Sequence, residues 1–133
     1  MEIRTHFIIS TIIAIILFPF YEWLVLLIIL GGVLVDIDHY LDYVIRLKKY
    51  NIKRAMKYYR TIALEKDMHL YRKITRIFHT IEFLILIFIL AFFSRYILLV
   101  GIGIYIHFLL DLLSETKIFK SITPRYSLFG ILG

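Results

Sequence analysis

The 133-residue chain contains no cysteine. Disulfides and thiolate metal ligands are therefore excluded, and any metal must be held by nitrogen and oxygen. Proline is scarce, at two residues, and no stretch is repetitive or of low complexity. Charge is also thin: 20% of residues are Asp, Glu, Lys or Arg, while 61% are hydrophobic and the mean hydropathy is +0.84. That balance is foreign to a soluble domain. The net charge of +6 comes with nothing that resembles a nucleic-acid module. The GxGD and HExxH motifs of intramembrane proteases are missing too. Only Arg4 precedes the first apolar run, and no small-residue cleavage site follows it, so residues 7–20 are expected to be a retained anchor.

Two long apolar blocks are present, Phe7–Val35 and Ile81–Val100 continuing to Leu113, on either side of a polar centre. Pro19, Glu22 and Trp23 interrupt the first block, and Ser94 with Arg95 interrupts the second. Breakers beside aromatics suit tight turns at a membrane interface. The expected fold is all-α: a single membrane domain, residues 1–133, built as a four-helix bundle with spans near 3–20, 22–42, 77–93 and 96–114. Each span reaches the length of the hydrocarbon core only if it includes His6, Asp36, His79 or His107.

Basic residues orient the bundle. Of the 16 Lys and Arg residues, only Arg95 falls in a loop on the far side, so both termini and the segment 46–76 are expected to be cytoplasmic in a multi-pass cell-membrane protein. Within 46–76, Ile52, Met56, Tyr59 and Ala63 recur at helical spacing, with Lys49, Lys53, Lys57 and Arg60 on another face. This pattern reads as an amphipathic helix whose basic face binds anionic lipid head groups. A solvated, topology-setting loop is the plainer alternative.

At 1.5 Å per helical residue, four helices deliver histidines and acids to one layer, about 16–24 Å from the non-cytoplasmic end. The layer holds His6, Asp36 to His39, His79 with Glu82, and His107 with Asp111. Asp36 and His39 are three apart, as are His79 and Glu82; His107 and Asp111 are four apart, as are Asp38 and Asp42, so each pair shares a helix face. Carboxylates at membrane depth are costly unless paired or metal-bound, and facing helices of a bundle commonly build metal sites this way. The competing readings are a capping or interfacial role for His6, a solvated helix end for the acidic cluster, and a structural hydrogen-bonded pair for His79 and Glu82. His69 falls outside the layer and reads as an ordinary exposed histidine.

Taken in order, His6 after Thr5, Asp36-Ile37-Asp38-His39, His79-Thr80, and Gly103-Ile104-Tyr105-Ile106-His107-Phe108-Leu109-Leu110-Asp111 resemble the YdjM-like family of membrane-bound metal-dependent hydrolases. The resemblance implies that His6, Asp36, Asp38, His39, His79, His107 and Asp111 bind metal. The chain departs from the family pattern at Val35, where proline is common, and at Ile74-Thr75-Arg76, where a His-Arg pair is common. The expected activity is hydrolysis of a phosphoester, on a lipid or lipid-linked substrate reached from the inner leaflet. The cofactor is a divalent metal, zinc or manganese. Two ions about 3.5–4 Å apart would bridge the phosphate, with Glu82 or an aspartate as general base. The alternative class is a membrane metal-ion carrier or a non-catalytic metal-binding regulatory protein. The expected partners are anionic membrane lipids and a lipid-like substrate, with no nucleic acid.

Overall fold

A computed structural model describes residues 3–65 and 77–119, and every element among them is helical. Helix α1 (Ile3–Tyr21) runs two residues past Pro19. The chain then turns at Glu22, which takes a left-handed φ of 50°, into a single 3₁₀ turn, Glu22–Val25. Helix α2 (Leu26–Leu34) passes into α3 (Ile37–Leu47) through a tightened junction at Val35 and Asp36. There the amides of Asp36, Asp38 and His39 donate to the carbonyls of Val33, Val35 and Asp36 at 3.2–3.4 Å. The span expected at 22–42 is thus three joined pieces, tightest at the acidic motif.

Lys48 closes α3 in a left-handed conformation, its N–H donating to the Val44 carbonyl at 2.9 Å. Asn51 then opens α4 (Ile52–Glu65), accepting from the Arg54 amide at 3.0 Å as an N-cap side chain does. A helix is therefore present in the basic segment, and only part of its apolar stripe turns inward. Ala55 and Ile62 pack inward and Tyr59 is half-buried, whereas Ile52 and Met56 stay exposed. The reason is that α4 folds back against α3, which draws on the flank of the apolar stripe carrying Ala55 and Ile62.

The third expected span, 77–93, contracts to α5 (Ile81–Ala91), preceded by a 3₁₀ turn at Ile77–His79. Thr80 separates the two in an extended conformation (φ −97°, ψ 151°), and its hydroxyl accepts from the Phe83 amide. At 11 residues α5 is roughly 16 Å long, about half the hydrocarbon thickness. Ser94 starts α6 (Arg95–Phe119), which is longer than the span expected at 96–114. The stretches Arg4–Leu47 and Arg95–Ser114 are long and apolar enough to cross a membrane.

Helices α2 and α6 form the centre, with α1 packed on both and α5 on α6. Glycines set their approach. A Cβ at Gly103 would strike the Ile28 carbonyl and the Gly32 amide, and one at Gly31 would strike the Val100 carbonyl. Small residues permit such backbone contact between helices. One end of the interior is apolar, lined by Ala14, Val25, Ile28 and Leu99. The opposite end buries polar side chains: His6, Ser10, Asp38, Asp42, His79, Thr80, His107 and Asp111. Large aliphatic and aromatic side chains cover much of the outside, among them Ile15, Phe20, Trp23, Phe92 and Phe93.

Candidate metal centre

His107 lies on α6 one turn beyond Gly103. Because the glycines let α2 and α6 touch, its Nδ1–H reaches the Gly32 carbonyl at 2.8 Å. His79, in the 3₁₀ turn ahead of α5, directs Nδ1 to Asp38 Oδ2 at 3.0 Å. Carbonyl and carboxylate oxygens only accept, so Nδ1 carries a proton in both rings. Those two Nε2 atoms face one another at 3.0 Å. Two imidazole nitrogens at that separation share a proton or flank a cation.

Carboxylate oxygens complete the group. Asp111 Oδ2 is 3.4 Å from both Nε2 atoms, and Asp36 Oδ1 is 3.5 Å from that of His107. Four ligands held tetrahedrally at zinc-like bond lengths lie roughly 3.3–3.6 Å apart. The spacings of 3.4, 3.4 and 3.5 Å fall in that range and 3.0 Å lies just below it, and the four atoms all lie within 4.8 Å of one another. His79, His107 and Asp111 are buried and Asp36 is half-buried, so this buried His/Asp group could hold a metal ion.

Asp38 is engaged through both oxygens. Oδ1 meets His39 Nδ1 at 2.6 Å; Oδ2 takes His79 Nδ1 and the Phe78 amide, the latter at 3.3 Å. It orients two imidazoles at once, as a carboxylate behind a metal-ligating histidine does. Asp38, His39 and His79 also form a second group compact enough for an ion. His39, 22% exposed at its side chain, meets His79 and Tyr59 edge-on.

His6 comes in from α1, fully buried and stacked on His107 with ring centroids 3.8 Å apart. Its Nε2 stands 3.1 Å from Asp111 Oδ1, without the alignment of a hydrogen bond. Both His6 nitrogens, Ser10 Oγ and Asp36 Oδ2 are buried with no hydrogen-bond partner among the described residues. Buried polar atoms are seldom left so, and a nitrogen–oxygen donor set of this kind fits a divalent cation.

The structure therefore brings His6, Asp36, Asp38, His39, His79, His107 and Asp111 together from four segments of the chain. Glu82 belongs to neither of the two groups compact enough for an ion. Extended backbone at Thr80 breaks the helical register that would put His79 and Glu82 on one face, and Glu82 stands half-buried in the first turn of α5, outside both groups. Lys49, Lys53, Lys57 and Arg60 are exposed about α4. His69 and the rest of 66–76 lie outside the described residues.

Sequence reasoning overlooked two participants. The Gly32 carbonyl could have been suspected from the small residues Gly31-Gly32 and Gly101-x-Gly103, a helix-contact signal. Tyr59 carries no sequence signal for its role. Its hydroxyl donates to Asp42 Oδ2 at 2.8 Å, while Arg46 holds Oδ1 at 2.7 Å, tying α4 to α3 beside His39. Burial, and then the neighbouring Asp42 carboxylate, push the Tyr59 phenol well above its ordinary value, so it remains a donor at physiological pH.

No protein-family model, curated protein or solved structure matches the chain.

Proposed function

We propose that the chain is a multi-pass membrane protein of YdjM-like type that holds a divalent cation at the cytoplasmic end of its helices and hydrolyses a phosphoester of a lipid or lipid-linked substrate. The membrane part is supported by the exposed apolar surface. Ile8, Ile12, Ile15, Ile16, Leu26, Leu30, Ile85 and Phe88 are each about half exposed or more, and leaving that area in water would forfeit roughly 6–12 kcal/mol of burial. That is comparable with the whole stability of a typical domain, about 5–15 kcal/mol, so these faces call for an apolar surrounding. Aromatics at the far end, Phe18, Phe20, Trp23, Phe92, Phe93 and Tyr96, suit an interfacial belt.

The single observation that carries the functional reading is the convergence of two imidazole Nε2 atoms and two carboxylates on one point. His79 and His107 each have Nδ1 engaged and present Nε2 to one point, beside Asp36 and Asp111. A divalent cation held there supplies Lewis acidity toward a phosphoryl oxygen and acidifies water. His39 is the group of the cluster suited to proton transfer. With its Nδ1–H donated to Asp38 the other ring nitrogen is basic, and its side chain reaches the surface. This assigns to His39 the base role that the sequence suggested for Glu82. The lysines of α4 would gather anionic head groups near the same end. An ion carrier is less well supported, because Ala14, Val25, Ile28 and Leu99 close the far half of the interior with apolar side chains.

The test is metal analysis of the purified protein, followed by hydrolysis assays on phospholipids and lipid phosphates. Asp36→Ala and His107→Ala should lose the metal and any hydrolysis together, with folding checked by circular dichroism. A wild-type protein that binds neither zinc nor manganese would end the proposal.

A further inference from the structure

Between α1 and α2 runs an open groove of about 350 Å³, lined by Arg4, Phe7, Ile8 and Val33. Small-molecule sites span roughly 300–1,000 Å³, so the space suits part of a ligand of that size. Arg4, Phe7 and Ile8 are three and four residues apart and form one stripe of α1. His6 is two residues from Arg4, which turns it roughly 200° around the helix and into the interior. Helix α1 thus carries a histidine of the metal centre on one face and a groove wall on the other.

The other wall of the groove leads to the metal group. Val33 lies three residues before Asp36, and the Asp36 amide donates to the Val33 carbonyl at 3.3 Å. In a turn tightened to that pattern, side chains three apart eclipse one another. Asp36 therefore stands directly beyond Val33 on the same edge of the chain. It is also the one member of the group with His79, His107 and Asp111 that is not fully buried, at 16% side-chain exposure. A molecule lying in the groove with its end past Val33 meets the exposed edge of that group, with Arg4 on the opposite wall.

We propose that this groove takes an acyl chain of a phospholipid and that Arg4 holds its phosphate monoester beside Asp36, so that the substrate enters the metal group sideways from the bilayer. The inference rests on the proposed membrane-bound metal site and deepens it by naming the substrate class and the residues that select it. Charge decides the occupant. Lipid tails are as apolar as the groove walls, so Phe7, Ile8 and Val33 accept a chain without preferring one. The exposed guanidinium of Arg4 adds the preference, because its planar fork pairs two oxygens of a phosphate. A monoester presents three unsubstituted oxygens, enough for Arg4 and for a cation beside Asp36, whereas a diester presents two.

The experiment is lipid binding by the full-length protein, as purified in detergent micelles, read by native mass spectrometry. The probe is the phosphonate analogue of dioleoyl phosphatidic acid, which is not hydrolysed; dioleoylglycerol and inorganic phosphate are the competitors. Expected is one phosphonate lipid held per chain and displaced by neither competitor. Arg4→Gln should weaken it by roughly 10–100-fold, as loss of charge-assisted hydrogen bonds does, and Arg4→Lys should recover part of that loss. Ile8→Trp fills the groove from an exposed position and should weaken binding with Arg4 in place. Arg95→Gln removes the same charge at the far end of the bundle and should leave binding unchanged. Helix content, measured for each variant, shows that it is folded. Binding indifferent to Arg4→Gln or to Ile8→Trp, an equal loss in Arg95→Gln, or displacement by inorganic phosphate would overturn the inference and leave the metal analysis untouched. A chain that holds the lipid through Arg4 yet binds no metal supports the groove and ends only the hydrolase reading.

Discussion

Asp38 illustrates how much one side chain does at this site. Three donors converge on its two oxygens, and two of them are imidazoles whose ring orientation and tautomer it determines. It need not touch an ion to govern affinity, since outer partners of ligating histidines typically contribute 10–100-fold. Asp38→Asn keeps the shape but removes the charge. Zinc affinity, measured by competition with a chromophoric chelator, should fall by about 10–100-fold while helix content is unchanged. An affinity equal to wild type would show that His79 holds its orientation without the carboxylate.

At the scale of elements, the crossing of α2 and α6 governs the site from one turn away. His107 reaches the Gly32 carbonyl only because Gly103 and Gly32 let two backbones touch. Gly103→Ala should therefore destabilise the protein by about 1–3 kcal/mol in thermal melts and weaken metal binding in the same variant. Gly101→Ala is the contrast, because its new methyl meets only the Ile87 Cγ2 methyl, an end of a side chain that can move. It should leave both measurements close to wild type, and equal damage from the two substitutions would refute the role given to the crossing. Helix α4 raises a separate expectation. Its exposed Ile52 and Met56 lie beside Lys53 and Lys57, a profile suited to a membrane surface. Replacing Lys49, Lys53 and Lys57 by Gln should weaken binding to anionic vesicles, and added salt should weaken the wild-type interaction, as charge screening requires. Salt-insensitive binding would favour burial of Ile52 and Met56 against another protein surface.

For the whole molecule, one expectation concerns orientation. Basic residues lie almost wholly on one side of the proposed spans, so a reporter fused after Gly133 or inserted near Lys66 should read cytoplasm. One placed between Phe20 and Trp23 should read the opposite side. A C-terminus found outside would put the metal centre on the wrong face for the inner leaflet. The helical character was legible in the chain because apolar runs of this length can satisfy their backbone hydrogen bonds only as helices when no water reaches them. The polar layer was legible for a related reason: rise per residue converts sequence separation directly into depth, so His6, Asp36, His79 and His107 could be placed at one level by counting. Depth, however, says nothing of what lies across a helix boundary or which oxygen faces which ring. Only the tertiary structure decided that Thr80 takes an extended backbone and parts Glu82 from His79. It alone gave Asp38 two histidines to orient, brought Tyr59 back onto Asp42, and set the Nε2 atoms of His79 and His107 3.0 Å apart. The physical reason is that these relations depend on helix junctions and backbone contacts between segments up to 75 residues apart, which no local periodicity encodes.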